Sequence, residues 1–254
     1  TLTESIDEGP DFTGGTGDDT FLAVRDVDTG MNGDDNSTLT QLDTLDGGGG
    51  QDTLRINELD PDSSADDSDE IPSGVTLTSI ETVRLNSAEA VNGGEGTVNA
   101  GNSLDMTGFG DVETVDVINA TGVSIDGADT QDLSVSGVTG GIFLDGGKNV
   151  DVDTDGAGAI TIGSETVPVG TVDVTEADQG GDAIAIDGGT DVIVNATSDA
   201  TGAIGVGQAA GQDLPTGVID ITQTLNDDGT TGGGLTGGAV SAEGGTSIDI
   251  TVDA

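Results

Sequence analysis

One phrase, an apolar residue, any residue, then another apolar residue, returns at Val83-Arg84-Leu85, Val115-Asp116-Val117, Leu133-Ser134-Val135, Val150-Asp151-Val152, Val172-Asp173-Val174, Val192-Ile193-Val194, Ile219-Asp220-Ile221 and Ile248-Asp249-Ile250. The step from one copy to the next settles near 20 between Val115 and Val192, and insertions lengthen it on either side. A period of two marks a half-buried strand, and a triplet is too short for a strand that stands alone. Each copy therefore needs its neighbours.

A second series precedes the first in each unit, at Gly74-Val75, Thr97-Val98, Gly122-Val123, Gly141-Ile142, Ala159-Ile160, Ala183-Ile184, Ala203-Ile204 and Ala239-Val240. Between the two series lie similar turns: Leu144-Asp145-Gly146-Gly147, Ile186-Asp187-Gly188-Gly189 and Ala242-Glu243-Gly244-Gly245. A further echo links Leu42-Asp43-Thr44-Leu45, Ile80-Glu81-Thr82-Val83 and Val112-Glu113-Thr114-Val115 and carries the pattern towards the N-terminus. Two short strands in about 20 residues are too few for a propeller blade, and no helical period competes with them. The expectation is an all-β chain wound as a parallel β-solenoid, with short strands and Gly/Asp-rich turns.

Composition agrees with a thin interior. Aromatic residues make up 2% of the chain and glycines number 45, which cannot fill a wide core but suits stacked turns filled by Val and Ile. Residues 1–73 read as an acidic first part and residues 74–254 as the repeats, together one continuous domain. The stretches Asp60 to Ser73 and Gln223 to Gly237 read as protruding acidic loops.

Charge narrows the partners. The chain carries 49 Asp and Glu against 4 Lys and Arg, a formal charge of −45. A polyanion of this strength is repelled by nucleic acid and by anionic membrane surfaces, and attracts free cations. No apolar run approaches the roughly 18 residues that insertion into a membrane requires. Residues Thr1 to Asp7 show neither the features of a signal peptide nor an initiator Met, so the chain is expected to be mature or truncated. Cys, His, Trp and Tyr are all missing, which excludes Ser-His and Cys-His nucleophile pairs, disulfides and an ordinary zinc site.

Two nonapeptides fit the pattern G-G-x-G-x-D-x-U-x, where U is a large apolar residue: Gly14 to Leu22 and Gly47 to Arg55. Glycines bend such a turn so that carbonyls at Gly14, Thr16, Gly47 and Gly49 can face a cation, with Asp19 and Asp52 as charged ligands and Asp18 beside them. On these motifs the chain resembles the bacterial repeat-in-toxin proteins, most of all their surface-layer and adhesin members. That resemblance implies a right-handed β-helix, Ca2+ as the bound ion, and export to the cell surface without an N-terminal signal. The family stacks its motifs in tandem, whereas here two single copies begin as far apart as Gly14 and Gly47, so the expected ion ladder is incomplete. Gly-rich turns that kept their shape without the metal are the competing reading.

Weaker candidates follow. Asp151-Val152-Asp153-Thr154-Asp155-Gly156 begins like a calcium loop but has Ile162 where an EF-hand needs a bidentate Glu, so Asp151, Asp153 and Asp155 are either cation ligands or an acidic solvated face. Asp26, Asp28, Asn32 and Asp34 form a fainter loop. Outward acids such as Asp173, Asp220 and Asp249 would stack at about 5 Å, which favours bound cations or high salt. The Asp excess would equally suit a salt-adapted organism.

The expected function is structural rather than enzymatic. The chain is expected to be secreted and extracellular, to bind calcium ions and to form a homopolymer through solenoid ends or lateral contacts, as a filament, surface layer or biofilm matrix. One expected end contact is Ser247 to Val252 against the Phe12 to Val24 turn of a neighbour, and cell-surface polysaccharide is a further candidate partner. The alternatives are a monomeric adhesin stalk and, with less in its favour, a calcium-dependent polysaccharide lyase or hydrolase using Arg84 or Lys148. Four Phe and no Trp or Tyr leave little to stack on a sugar ring.

Overall fold

A computed structural model describes residues 2, 12–25, 37–58, 71–93, 98–99, 101–198, 202–209, 211–226 and 237–253. Its strands are β1 (Thr20–Arg25), β2 (Thr44–Asp46), β3 (Thr53–Glu58), β4 (Thr76–Thr78), β5 (Thr82–Asn86), β6 (Ala90–Val91) and β7 (Leu104–Asp105). Next come β8 (Thr114–Ile118), β9 (Gly122–Gly127), β10 (Asp132–Ser136), β11 (Ile142–Gly146), β12 (Val150–Thr154), β13 (Ile160–Ile162) and β14 (Val172–Glu176). The last are β15 (Ile184–Ile186), β16 (Val192–Ser198), β17 (Ile204–Val206), β18 (Val218–Leu225), β19 (Val240–Ala242) and β20 (Ser247–Asp253).

The strands form three sheets. A ten-stranded sheet runs β1-β3-β5-β8-β10-β12-β14-β16-β18-β20, and an eight-stranded sheet runs β19-β17-β15-β13-β11-β9-β6 with β7 also on β9. The third is the two-stranded pair β2-β4. Neighbours throughout pair in parallel, for example Val150 with Val172 and Ile160 with Ile184. This is the parallel β-solenoid that the triplets imply: the chain passes from one sheet to the other and returns one strand spacing further on.

All eight triplets lie in the ten-stranded sheet, from β5 to β20. Their alternation sorts the side chains: Val150 and Val152 are buried while Asp151 and Asp153 are exposed. Pairing in register stacks Val115, Leu133, Val150, Val172, Val192 and Ile219 into one apolar column, and all six are at most 1% exposed. From the opposite wall come Val123, Ile142, Ile160, Ile184 and Ile204. A core only two short side chains thick needs no large aromatics. The turns between walls depend on glycine at Gly146 and Gly147, where φ is 69° and 85°, the left-handed region that side chains disfavour.

Three sequence expectations need correction. Gly74-Val75 leads into β4, which pairs with β2 outside the long sheets. The place expected for Thr97-Val98 beside β9 is held by β6 and β7, and Thr97 lies outside the described residues. Leu42 to Leu45 belongs to the β2 wall, so the segment equivalent to Glu81-Thr82-Val83 is Asp52-Thr53-Leu54. In each case a shared acid–Thr–apolar or Gly–Val phrase outweighed the register that packing imposes. Most of the Asp60 to Ser73 and Gln223 to Gly237 stretches also lies outside the described residues, although Gln223 to Leu225 continue β18.

The two edges of the ten-stranded sheet differ. On the open side of β1, Leu2 N donates to Leu22 O at 3.0 Å and Thr38 N to Val24 O at 2.8 Å, while Val24 N donates to Thr38 Oγ1 at 2.9 Å. Leu2 and Leu39 are buried there and Phe12 and Phe21 pack partly against the core. At the other edge every residue of β20 is exposed.

Candidate metal centre

The two glycine-rich nonapeptides lie one above the other. Thr20 pairs with Thr53 and Phe21 with Leu54, while Gly14 N donates to Asp46 O at 2.7 Å and Gly47 N to Thr78 O at 2.9 Å. The chain from Gly14 to Gly47 is thus one full turn of the solenoid, and the motifs are stacked neighbours rather than isolated copies. Leu54, the apolar residue of the second motif, is fully buried.

The glycines allow a close approach. A Cβ on Gly14 would stand 2.0 Å from Gly47 O and 2.7 Å from Asp19 Oδ2; a Cβ on Gly47 would stand 1.8 Å from Ser79 O and 2.5 Å from Asp52 Oδ2. The same cradle therefore occurs twice, one turn apart. Each joins a carboxylate oxygen of its own turn to a carbonyl of the next.

Backbone donors hold the carboxylates in place. Asp19 N donates to Asp52 Oδ1 at 2.7 Å, and Asp52 N donates to Glu81 Oε2 at 2.7 Å. Gln51 N donates to Asp18 Oδ1 at 2.9 Å. The second oxygens differ. Gly15 N closes on Asp19 Oδ2 at 2.5 Å, but its counterpart Gly48, at φ 87°, donates to Asp46 Oδ1 at 3.0 Å. Among the described residues Asp52 Oδ2 has no hydrogen-bond partner, in a residue 0% exposed. An ionised oxygen buried without a donor is costly. Since Ser79 O borders the same space, a hard cation with oxygen ligands fits there.

The same column supplies a comparison. In register it reads Asp19, Asp52, Glu81, Glu113 and then Gln131. Gln131 is fully buried, and its Nε2 donates to Met106 O at 3.0 Å and Phe109 O at 3.1 Å. An amide donor serves the turn carbonyls there, whereas at the second motif turn Asp52 Oδ2 and Ser79 O meet as two acceptors.

The remaining candidates do not converge. Gly14 is half-buried and Gly47 buried, while Thr16, Asp18 and Gly49 are exposed at the rim. Asp151 and Asp153 point outward from β12 and Asp155 is exposed in the following turn. Asp151 pairs in register with Asp173, whose carboxyl is pushed above the ordinary range by burial and then by the Asp151 charge. Asp126 is raised in the same way by burial, with the charges of Asp145, Asp105 and Glu165 adding and a Ser103 hydrogen bond opposing. Asp26 and Asp28 lie outside the described residues. Among the described residues no three acidic side chains form a group that could hold a metal ion alone, so any ion at the motif turns depends on backbone carbonyls. Of the basic residues, Arg84 Nε contacts Asp116 Oδ2 at 2.7 Å and Lys148 Nζ lies 3.9 Å from Asp132 Oδ1. Ser79 and Glu81 are not marked as ligands by the sequence motif; the acid–Thr–apolar phrase at Glu81 is the available signal. Comparison with models of known families and with curated proteins finds no match.

Proposed function

We propose that this protein is a calcium-stabilised structural element of an extracellular assembly, of the repeat-in-toxin kind, whose copies join into a filament, layer or matrix. The buried, donorless Asp52 Oδ2 facing Ser79 O carries the reading. Asp52, Ser79 O and, one turn away, Asp19 and Gly47 O would hold the ions. Each ion supplies the positive charge that ties two turns together. Extracellular calcium sites work at about 0.1 to 1 mM, and a site filled at 100 times its dissociation constant adds about 2.7 kcal/mol of stability.

A monomeric stalk is the second reading, favoured by the covered edge of β1. Calcium-dependent folding followed by mass measurement separates the two. Growth of the particle supports assembly, and compaction at constant mass supports the stalk.

A further inference from the structure

The outward face of the ten-stranded sheet is not uniformly acidic. In register from β1 to β8 its middle column reads Leu22, Arg55, Arg84 and Asp116. From β10 to β16 it continues as Ser134, Asp151, Asp173 and Ile193. Two of the chain's four basic residues are thus stacked on neighbouring strands, and so are two carboxylates further on. Like charges directly opposite destabilise a sheet, and burial followed by the Asp151 charge raises the Asp173 carboxyl. Arg55 has no hydrogen bond or ion pair among the described residues. Arg84 engages Asp116 through Nε, which leaves its terminal N–H donors for another acceptor. At the two ends of this run Leu22 and Ile193 stand 40% and 39% exposed.

The second half of this column is the complement of the first read backwards. Faced with a copy of itself in reverse strand order, about an axis between β8 and β10, it places Leu22 on Ile193 and Arg55 on Asp173. The same axis places Arg84 on Asp151 and Asp116 on Ser134, and symmetry makes each pairing twice. The flanking outward columns fit as well. Their acids Asp132, Asp153 and Asp191 fall on Thr114, Asn86 and Thr20, all of which can donate a hydrogen bond. A shift by one strand either way would set Asp116 on Asp116 or on Asp151, and facing in the same strand order would set Arg on Arg. One register of the middle column joins apolar to apolar and cation to anion.

We propose that this face, from β1 to β16, docks on the same face of a second copy with the strand order reversed, held by Arg55–Asp173 and Arg84–Asp151 pairs and by Leu22 against Ile193. Facing sheets pack about 10 Å apart, a gap that a long Arg from one side and a short Asp from the other fill together. Charge complementarity of this kind fixes register and partner, and it removes the two like-charge stacks that each copy carries alone. The contact leaves the eight-stranded sheet outside it. A twofold contact closes on itself, so growth beyond two chains takes place through another surface. The inference shares with the assembly reading that copies meet, and adds the lateral face by which two of them do.

The test exchanges the charges. At about 0.15 M salt, where exposed charges more than about 8 Å apart are screened, sedimentation with calcium present is expected to give pairs of chains, or multiples of pairs, for the unmodified protein. Arg55→Asp with Arg84→Asp sets carboxylate on carboxylate, and Asp151→Arg with Asp173→Arg sets cation on cation. Each double variant alone is expected to associate more weakly by roughly tenfold or more. Mixed in equal amounts, the two regain every opposite-charge pair and recover the parent's association. Circular dichroism shows that both variants fold. The chain contains no cysteine, which gives a second route in the parent background: a short bis-maleimide joins Leu22→Cys to Ile193→Cys in a mixture. Leu22→Cys alone is not joined, because its two copies lie roughly 30 Å apart along the stack. A parent monomeric at all concentrations, a mixture no more associated than its parts, or a Leu22→Cys self-link would each overturn the contact. Particles that grow with calcium but ignore the charge exchange would overturn this face and leave the assembly reading standing. Pairs that respond to the exchange but never grow further would support the face and count against the filament or layer.

Discussion

At the scale of single residues, one carboxylate oxygen sets the second motif turn apart from the first. Asp52 Oδ2 lacks the backbone donor that its counterpart Asp19 Oδ2 has, because Gly48 turns its N–H to Asp46. Further along the column Gln131 meets a similar need with an amide. Asp52→Asn is therefore expected to place an N–H₂ beside Ser79 O, so that stability in chelator rises and the calcium increment at that site disappears. Asp52→Ala should lose both. Chemical denaturation with and without calcium reads the difference, and equal calcium increments in the two Asp52 variants and the parent would contradict it. Gly47→Ala is expected to cost about 1 to 3 kcal/mol or more, since its Cβ would meet Ser79 O at 1.8 Å; a thermal melt unchanged from the parent would contradict the cradle. The nonapeptide pattern names Asp19 and Asp52 but not Ser79, and it signals Glu81 only through the repeated acid–Thr–apolar phrase. Those two residues reach the motif only through the register between turns, which a linear motif does not contain.

At the scale of strands, burial and charge pull against each other along the outward columns. Asp151 and Asp173 face one another on β12 and β14, and Asp173 titrates above its ordinary value through burial first and the neighbouring charge second. A carboxyl raised in the folded state binds more protons there than when unfolded, so its contribution favours folding at low pH and is lost as pH rises above 3.8 through the folded value. Asp173→Asn is thus expected to raise stability at neutral pH and to flatten the decline across that window, as melts at successive pH values would show; a steeper decline would have the wrong sign. Inside, Ile186 sits between Ile162 and Val206 and is fully buried. Ile186→Ala should cost about 2 to 5 kcal/mol by denaturant unfolding, because a two-layer interior has little with which to refill the void. The strands from β8 to β18 were legible because each short turn there keeps one phrase. Nearer the N-terminus the turns are longer and include the separate β2-β4 wall, so the phrase Leu42 to Leu45 misled where packing fixed a different register.

At the scale of the whole molecule, the solenoid is a stack in which each turn depends on its neighbours. Its charge of −45 opposes that stacking, and on the proposed reading cations bound between turns would offset the repulsion locally. The architecture was readable from spacing alone, since alternating triplets with glycine turns admit few other foldings. The covering of β1 was not, because Leu2 and Thr38 reach it through backbone bonds that side-chain type does not encode. The most direct measurement is circular dichroism and light scattering of calcium-depleted protein as calcium is returned, with magnesium and high sodium chloride as controls. Strand signal that rises with calcium specifically, together with an increase in mass, is the expected result. Folding that is equally complete in sodium chloride alone would contradict it, and would make the acid excess an adaptation to salt rather than the setting of a calcium site.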